Sequence, residues 1–565
     1  MINLEQTIRK HALKNAFDYG KANPGAVVGK VIAEFPDAKT DMKSTMKKIN
    51  DVIAEISHLT KDDLAKQLSS FEFAEKPKEE KKGFDVPNAV QGHVVTRFPP
   101  EPSGYPHIGH AKAACIDYEI AKQYGGKMVL RFDDTNPEKE SQEYVEALKE
   151  GLKWLGIEWA SESYTSDNLP RIYEAAEKLI QMEKAYICTC TQDEISKNRA
   201  EKNPCACRSN GPTQNLELWN KLKSGKIDEG KAILRFRGNL SSENTVMRDP
   251  ALARILSSSH YRQKKKYSVW PSYDLAVVVM DAIEGITHPL RTKEYELRDE
   301  LYFTLFDALG YKKPHLVEIS RLQIKNAPIS KRLLTPLVKE NKVMGWDDPR
   351  LPTLKGLARR GILPEAVKKF VLSFGISKVE SEPTWEALLV ENRKLLDPTA
   401  RHYFFVPNPV KIKVKGAEKK KLTLNLHPKN PLLGTRELDV NNEFFIPQRD
   451  YDSISEGEIF RLKDLYNVRL GKKGKTPVCE FTGDGIVEKK LQWVTKDSIR
   501  CEVLVPKDLV DDSGNYRENS LEIVSGLCEK TCLELKEGDV IQFERFGFCR
   551  LDKKTKAKLI FIFSC

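Results

Sequence analysis

The sequence predicts a multidomain protein built around an α/β domain split by an insertion, with a helical domain before it and a helical bridge and all-β barrels after it. Three observations predict this. The chain has 565 residues, too many for one hydrophobic core. From Val94 short apolar strands alternate with helices, as in a parallel sheet with crossover helices. After Arg401 the pattern becomes evenly spaced short strands with Gly, Asp and Asn turns, which indicates β-barrels.

Taken in order, residues 1–74 carry apolar positions at helical spacing: Leu4, Ile8, Ala12, Leu13 and Phe17, then Val28, Ile32 and Phe35, then Ile49, Val52, Ile53 and Ile56. Residues 75–88 open on the charged run Glu75 to Gly83 and read as a linker. Residues 89–185 form the first half of the α/β domain, with strands at Val94–Phe98 and Met128–Phe132 and helices over about 108–124 and 144–155. Leu275 to Met280 is expected to be another buried strand of the same sheet. Residues 186–270 are then an α/β insertion, and 271–332 the second half of the domain. Helical spacing returns over 333–400, with Leu333, Leu334, Leu337 and Val338 in front and Ala366, Val367, Phe370 and Val371 behind. Residues 401–565 are long enough for two barrels.

Composition excludes several classes. No stretch approaches the roughly 18 apolar residues of a membrane span, so no membrane role is expected. The opening Met-Ile-Asn-Leu-Glu-Gln lacks a basic and then apolar leader, which places the expected location in the cytoplasm with reduced thiols. A net charge of +11 favours a polyanionic partner, although 92 basic against 81 acidic residues is a mild excess. The 11 cysteines include Cys188, Cys190, Cys205 and Cys207 in one short segment. Four thiolates in two pairs can close a structural zinc site; free cysteine is also a good small core residue, and zinc is the favoured reading.

The most informative segment is Arg97-Phe98-Pro99-Pro100-Glu101-Pro102-Ser103-Gly104-Tyr105-Pro106-His107-Ile108-Gly109-His110, between a predicted strand and a predicted helix. Gly109 lets a nucleotide approach the backbone, and His107 and His110 stand about one turn apart at a helix N-terminus, where anionic phosphate is favoured. Two such imidazoles can stabilise charge developing on a triphosphate. Ordinary surface or core histidines are the competing reading, against which stand the glycine, the proline-rich lead and the strand–helix context. Downstream, Ser320-Arg321-Leu322 precedes Ile329-Ser330-Lys331-Arg332, a loop whose lysine can follow departing pyrophosphate. Alone such a tripeptide is a solvated loop; its position at the end of the α/β domain gives it weight.

With these pieces together the chain resembles the class I aminoacyl-tRNA synthetases, whose His-Ile-Gly-His and Lys-Met-Ser-Lys-Ser signatures match His107 to His110 and, with variation, Ile329 to Arg332. Arg131-Phe132-Asp133-Asp134-Thr135-Asn136-Pro137, Pro271-Ser272-Tyr273-Asp274 and Asp281 to His288 narrow the resemblance to the glutamyl and glutaminyl branch, and the β-barrel tail to the archaeal and eukaryotic glutamyl type. The resemblance implies a Rossmann-type catalytic domain, an acceptor-binding insertion and an anticodon-binding tail. It implies ATP contacts at Glu101, Pro102, Ser103, His107, Gly109, His110, Thr292, Arg321, Leu322, Ser330 and Lys331, with Mg2+ bridging the phosphates. Catalysis would rest on His107, His110 and Lys331.

The resemblance also places Arg97, Asp133, Tyr273 and Arg291 in the amino-acid pocket, with Asp133 and Tyr273 on the substrate ammonium. Glutaminyl relatives generally carry a neutral residue where Arg291 stands. A guanidinium suits a γ-carboxylate and an amide cannot satisfy it, so glutamate is the expected substrate and tRNA(Glu), with tRNA(Gln) open, the expected partner. An ion pair of Arg291 with Glu294 or Glu296 is the structural alternative. Arg262-Gln263-Lys264-Lys265-Lys266-Tyr267 offers cations to the acceptor end, or is a solvated loop. A monomer is favoured. Rival readings are a glutaminyl enzyme, a nucleotidyltransferase making a small adenylylated metabolite, and a non-catalytic RNA-binding scaffold, the last opposed by the intact His107, His110 and Lys331.

Overall fold

Helices Leu4–Tyr19 (α1), Pro24–Glu34 (α2), Met42–Ile56 (α3) and Lys61–Leu68 (α4) form the first of two units in the computed structural model, which describes residues 3–19, 22–68, 71, 83–474 and 476–565 and divides at 83/84. Asn23 and Asp41 cap α2 and α3 through side-chain oxygens that accept backbone N–H bonds. Ile8, Ala12, Leu13, Val27, Val31, Ile49 and Val52 make the core. On α2 the inner pair is Val27 and Val31, with Val28 and Ile32 half-buried beside it. Two adjacent apolar pairs leave the register ambiguous in sequence.

Residues 75–82 of the expected linker lie outside the described residues. From Phe84 the chain is anchored on the larger unit. Phe84 N donates to Gln123 Oε1 at 2.7 Å, its carbonyl accepts from the Tyr124 hydroxyl at 3.0 Å, and Val86 is buried.

In the larger unit Val95–Phe98 (β1), Ile108–Gln123 (α5), Lys127–Phe132 (β2), Gln142–Trp154 (α6) and Ser161–Tyr164 (β3) alternate, and the strands pair in parallel in the order β1-β2-β3. Leu169–Gln181 (α7) leads into the insertion. There Ala185–Cys188 (β4), Ile233–Phe236 (β5), Ala251–Ile255 (β6) and Val269–Pro271 (β7) make an antiparallel sheet, with Gln192–Ala200 (α8) and Pro212–Lys223 (α9) between β4 and β5.

The expected strand at Leu275–Met280 is instead part of a helix, Tyr273–Ile283 (α10), buried from Asp274 to Asp281. An unbroken apolar run carries no period, so helix and strand read alike. What decides is the end: Gly285 has φ 65°, and Ile286 N reaches back to Asp281 O at 2.9 Å, a helix-terminating turn that needs glycine. Leu290–Thr292 (β8) and, after Asp299–Leu309 (α11), Val317–Ile319 (β9) pair in parallel as a separate two-stranded sheet. Thr287 N and His288 N both donate to Val95 O, at 3.0 and 3.1 Å, setting β8 beside β1. The chain therefore leaves β1 toward β2 and returns on its other side, which opens a ligand crevice at the strand ends.

Lys331–Lys339 (α12), Leu354–Arg360 (α13), Pro364–Leu372 (α14) and Trp385–Leu396 (α15) bridge to the tail. The tail holds two seven-stranded sheets, each curled into a near-barrel. One comprises Arg401–Tyr403 (β10), Phe405–Pro407 (β11) and five strands between Ile499 and Phe563; the other lies between Pro409 and Thr495, inserted within the first. Strands β10 and β11 are the two edges of their sheet and are joined by Phe404 alone. The edges of the inserted sheet, Lys490–Leu491 and Val494–Thr495, are joined by Gln492 and Trp493. Phe404 and Trp493 are fully buried and lie ring to ring at 5.7 Å, so each sheet is drawn shut by a short connector with an aromatic anchor.

Close approach of β1 to the turn after α5 depends on Gly126, where a Cβ would lie 1.9 Å from Val94 O. Gly126→Ala is expected to lower the stability of the larger unit by about 2 kcal/mol or more, read as a fall in its thermal midpoint; an unchanged midpoint would refute the packing account.

Candidate active site

The segment between β1 and α5 sets His107 and His110 at the N-terminus of that helix. His107 precedes α5 in extended backbone, its Nδ1 accepting from Gly109 N at 3.1 Å, while His110 Nδ1 accepts from His107 N at 3.3 Å. Both Nδ1 atoms are thus acceptors, so each neutral ring carries its proton on Nε2. Burial lowers the His110 pKa to about 4 and that of His107 well below its ordinary value. The pair therefore presents two neutral Nε2–H donors at a helix N-terminus. Their ring centres are 4.0 Å apart, and a Cβ on Gly109 would meet the His107 ring at 3.0 Å and Leu322 O at 3.3 Å. Ile108 N donates to Pro352 O and Leu354 N to Pro106 O, both at 2.9 Å, pinning the segment to the start of α13.

Two cavities meet at this pair. The larger, about 560 Å³, is lined by His107, Gly109, His110, Thr292, Arg321, Leu322 and Ser330 together with Lys112. The smaller, about 250 Å³, is lined by Glu101, Ser103, His107, His110 and Lys331 with Tyr105 and Trp346. Every residue the sequence reading assigned to ATP lines one or the other except Pro102, which is buried behind them and accepts from Ser141 N at 3.2 Å. Lys331, first residue of α12, donates to Ser103 O at 2.6 Å and lies 4.7 Å from the Tyr144 ring centre. The loop lysine is therefore folded over the strand exit.

Arg97 and Asp133 are linked through Asp281 and Arg131, and Arg291 lies 5.4 Å from the Tyr273 ring centre; burial raises the Tyr273 pKa to about 12. Arg97 is fully buried, donating to Asp281 Oδ1 at 3.2 Å and Leu290 O at 2.7 Å. Burial is the strongest influence and opposes its charge, but Asp281 together with Tyr273 and Tyr302 more than offsets it, leaving the pKa raised. Asp133 accepts from Arg131 Nε at 3.0 Å and from the Thr165 hydroxyl at 2.9 Å. Arg291 is 5% exposed. Neither Glu294 nor Glu296 pairs with it: Glu294 holds Arg321 at 2.7 Å and Glu296 holds Lys378 at 3.4 Å. Its partner is Asp299, through Nη1 at 3.2 Å, while its buried Nε has no partner among the described residues.

In the insertion the sulfurs of Cys188, Cys190, Cys205 and Cys207 lie within 4.8 Å of one another, with Cys188–Cys205 and Cys190–Cys207 at 3.9 Å. A tetrahedral zinc with bonds near 2.3 Å sets its sulfurs ~3.8 Å apart. Thr189 N and Arg235 Nη1 point N–H groups at Cys207 and Cys188, at 3.5 and 3.7 Å, as thiolate ligands require. Of the basic run, Arg262 is committed to Asp167 at 2.5 Å and to the Tyr164 ring at 3.6 Å, Lys264 bonds Tyr261 O at 2.9 Å, and Lys265 and Lys266 are exposed.

Sequence reasoning missed Asp281, Arg131, Tyr302, Asp299 and Lys112. Lys112 is buried, bonding Ser320 O at 2.7 Å and Ser320 Oγ at 2.8 Å. The only available signal was their place in segments already singled out, such as Arg131 beside Asp133; their partners lie far off in the chain.

Among the described residues no helix is long and apolar enough to cross a membrane. Residues 93–398 match the family model of the catalytic domain of class I tRNA synthetases (E and Q), and 400–482 and 490–552 match two anticodon-binding domains of the same family. A glutamate–tRNA ligase of Nitrosopumilus maritimus (strain SCM1) is 43% identical over 98% of both chains. Those of Cenarchaeum symbiosum (strain A) and Pyrococcus abyssi (strain GE5 / Orsay) are 39% and 38% identical over 99% and 100% of both chains. A paired-histidine crevice beside β1, a loop lysine over it and two near-barrels behind it are thus carried by a chain that belongs to the class I tRNA synthetases of the E and Q family.

Proposed function

We infer that this enzyme activates glutamate with ATP and esterifies it to the terminal adenosine of tRNA(Glu). The observation that carries the choice of amino acid is Arg291: a buried guanidinium with an unpartnered Nε beside Tyr273 is complementary to a second carboxylate. A glutamine amide would present an NH2 group to one donor and leave the charge uncompensated, a difference worth a few kcal/mol. The glutamate ammonium is held by Asp133 and Tyr273, with Arg97, paired to Asp281, at the floor of the pocket.

ATP lies across the two cavities, its adenosine against Gly109 and Leu322 and its phosphates passing the histidine pair toward Lys331. The glutamate α-carboxylate attacks the α-phosphorus, the bond to the β-phosphate oxygen breaks, and pyrophosphate leaves. The Nε2–H groups of His107 and His110 donate to the phosphate oxygens as charge builds there, and Lys331 follows the leaving group. Magnesium arriving with ATP would supply charge neutralisation on the phosphates. No side chain acts as nucleophile; a ribose hydroxyl of the tRNA, the 2′ group by family resemblance, then attacks the glutamyl carbonyl and releases AMP. The insertion faces the acceptor end, and the near-barrels receive the anticodon, whose splayed bases suit aromatic-lined β surfaces. Cys188, Cys190, Cys205 and Cys207 would hold a zinc ion whose role would be structural, four thiolates leaving no ligand position for chemistry.

Purified enzyme given tRNA(Glu) or tRNA(Gln) with each radiolabelled amino acid is expected to esterify glutamate and not glutamine; the tRNA(Gln) arm measures whether that tRNA is also an acceptor, and no glutamylation of either tRNA sinks the reading. Arg291→Cys is expected to erode the preference for glutamate about tenfold or more in kcat/KM, and an unchanged preference removes its role. Lys331→Met should slow adenylate formation about 100-fold while leaving glutamate binding intact, as followed by tRNA-dependent pyrophosphate exchange. The chain should carry one zinc, which Cys207→Ser loses; Co2+ in its place should give the spectrum of a tetrahedral thiolate site, and a metal-free native protein would dismiss zinc.

A further inference from the structure

Arg291 is held from three sides. Its guanidinium centre lies 4.0 Å from the Tyr302 ring centre and 5.4 Å from that of Tyr273, and its Nη1 is tied to Asp299 Oδ1 at 3.2 Å. The two rings bound the position of the guanidinium, and the charged tether sets which of its edges is engaged. Because the tether is on Nη1, the edge formed by Nη2 and Nε stays available, and Nε is the buried donor without a partner among the described residues. A buried unpaired donor on an otherwise bonded side chain calls for a ligand.

We propose that Asp299 is the positioning residue of the amino-acid pocket: it holds Arg291 so that the Nε–Nη2 edge, and no other, meets the second carboxylate of the substrate. This rests on the assignment of Arg291 to that carboxylate. The chain supplies the geometry cheaply. Asp299 is the first residue of α11, where the helix dipole favours an anion. Burial pushes its pKa up, while Arg291 acts against burial. Tyr302, one turn further along α11, stacks under the guanidinium and donates its hydroxyl to Asp281 Oδ2 at 2.7 Å. One helix end thus presents both the tether and the platform.

An acid at a helix start with no further duty would affect stability alone. The test is aminoacylation of tRNA(Glu) by full-length Asp299→Ala, Asp299→Glu and Arg291→Cys enzymes, with KM for glutamate and for ATP, kcat and thermal midpoint measured for each. Asp299→Ala is expected to raise KM for glutamate about tenfold and to lose part of the discrimination against glutamine, with KM for ATP near that of the parent even where the midpoint falls because the buried guanidinium loses its partner. Asp299→Glu, which keeps a carboxylate, should recover part of both. If Arg291→Cys raises KM for glutamate and Asp299→Ala does not, the positioning role is wrong while the pocket assignment stands. If neither variant moves it, the assignment of Arg291 fails and this inference with it. If Asp299→Ala raises both KM values together with a lowered midpoint, its role is structural and the proposal is overturned.

Discussion

The site is built on one buried carboxylate shared by two arginines. Asp281, fully buried on α10, takes Arg97 from β1 at 3.2 Å, Arg131 from β2 at 2.9 Å and the Tyr302 hydroxyl from α11 at 2.7 Å. Burial raises its pKa and the two guanidiniums more than reverse this, leaving it lowered. Removing one member of such a cluster strands the others and costs several kcal/mol, so four elements are locked at a single point. The consequences spread outward. Arg131 continues to Asp133 and Glu284 at 3.0 and 2.8 Å, which fixes the carboxylate proposed to meet the substrate ammonium. Tyr302, fixed by its hydroxyl, turns its ring to Arg291.

The nucleotide side is fixed by backbone rather than by charge. His107 forms an antiparallel bridge with Thr353, and the Thr353 hydroxyl donates to Trp346 O at 2.7 Å. The same stretch holds Arg350, paired with Asp348 at 2.7 Å and donating to Ser520 of the outer near-barrel at 2.9 Å. Helix α12, which begins at Lys331, packs Leu334 and Leu337 against Leu509 and Val510 from that near-barrel. The histidines and the loop lysine thus rest on one platform, half of it supplied by the tail. Fixing the donors before the phosphates arrive leaves little reorganisation for the reaction step.

Much of the site was legible because its signals are local. A histidine pair, a glycine and a proline-rich strand exit sit within fourteen residues of chain, and the four cysteines announce themselves by spacing. The failures share a cause, since they concern partners distant in sequence or runs without period. Leu275 to Met280 is apolar throughout because α10 is enclosed on every side, and enclosure erases the alternation that separates helix from strand. The partner of Arg291 was sought three and five residues away, at Glu294 and Glu296, whereas the turn after β8 carries those outward and brings Asp299 in. The tail was readable as two β units, yet the nesting of one inside the other was not: β10 and β11 span three residues each, too short for any pattern.

Charge at this depth is not there for stability. Well-packed apolar residues in place of Arg97, Arg131, Asp281 and Arg291 would hold the core as well or better, so recognition is the reason to bury them. The compensation is nevertheless uneven. Asp281 answers two guanidiniums and Asp133 and Glu284 add to Arg131, but Arg291 meets one carboxylate through one nitrogen. Completing that last pair inside the protein would give a quieter pocket with no preference between an acid and its amide. On the proposed assignment of Arg291, leaving it incomplete would make the empty pocket less favourable and the filled one selective, because a ligand oxygen bearing charge would close the deficit. Selectivity would then be a shortage of internal acceptors, placed where the substrate's distal group is proposed to arrive.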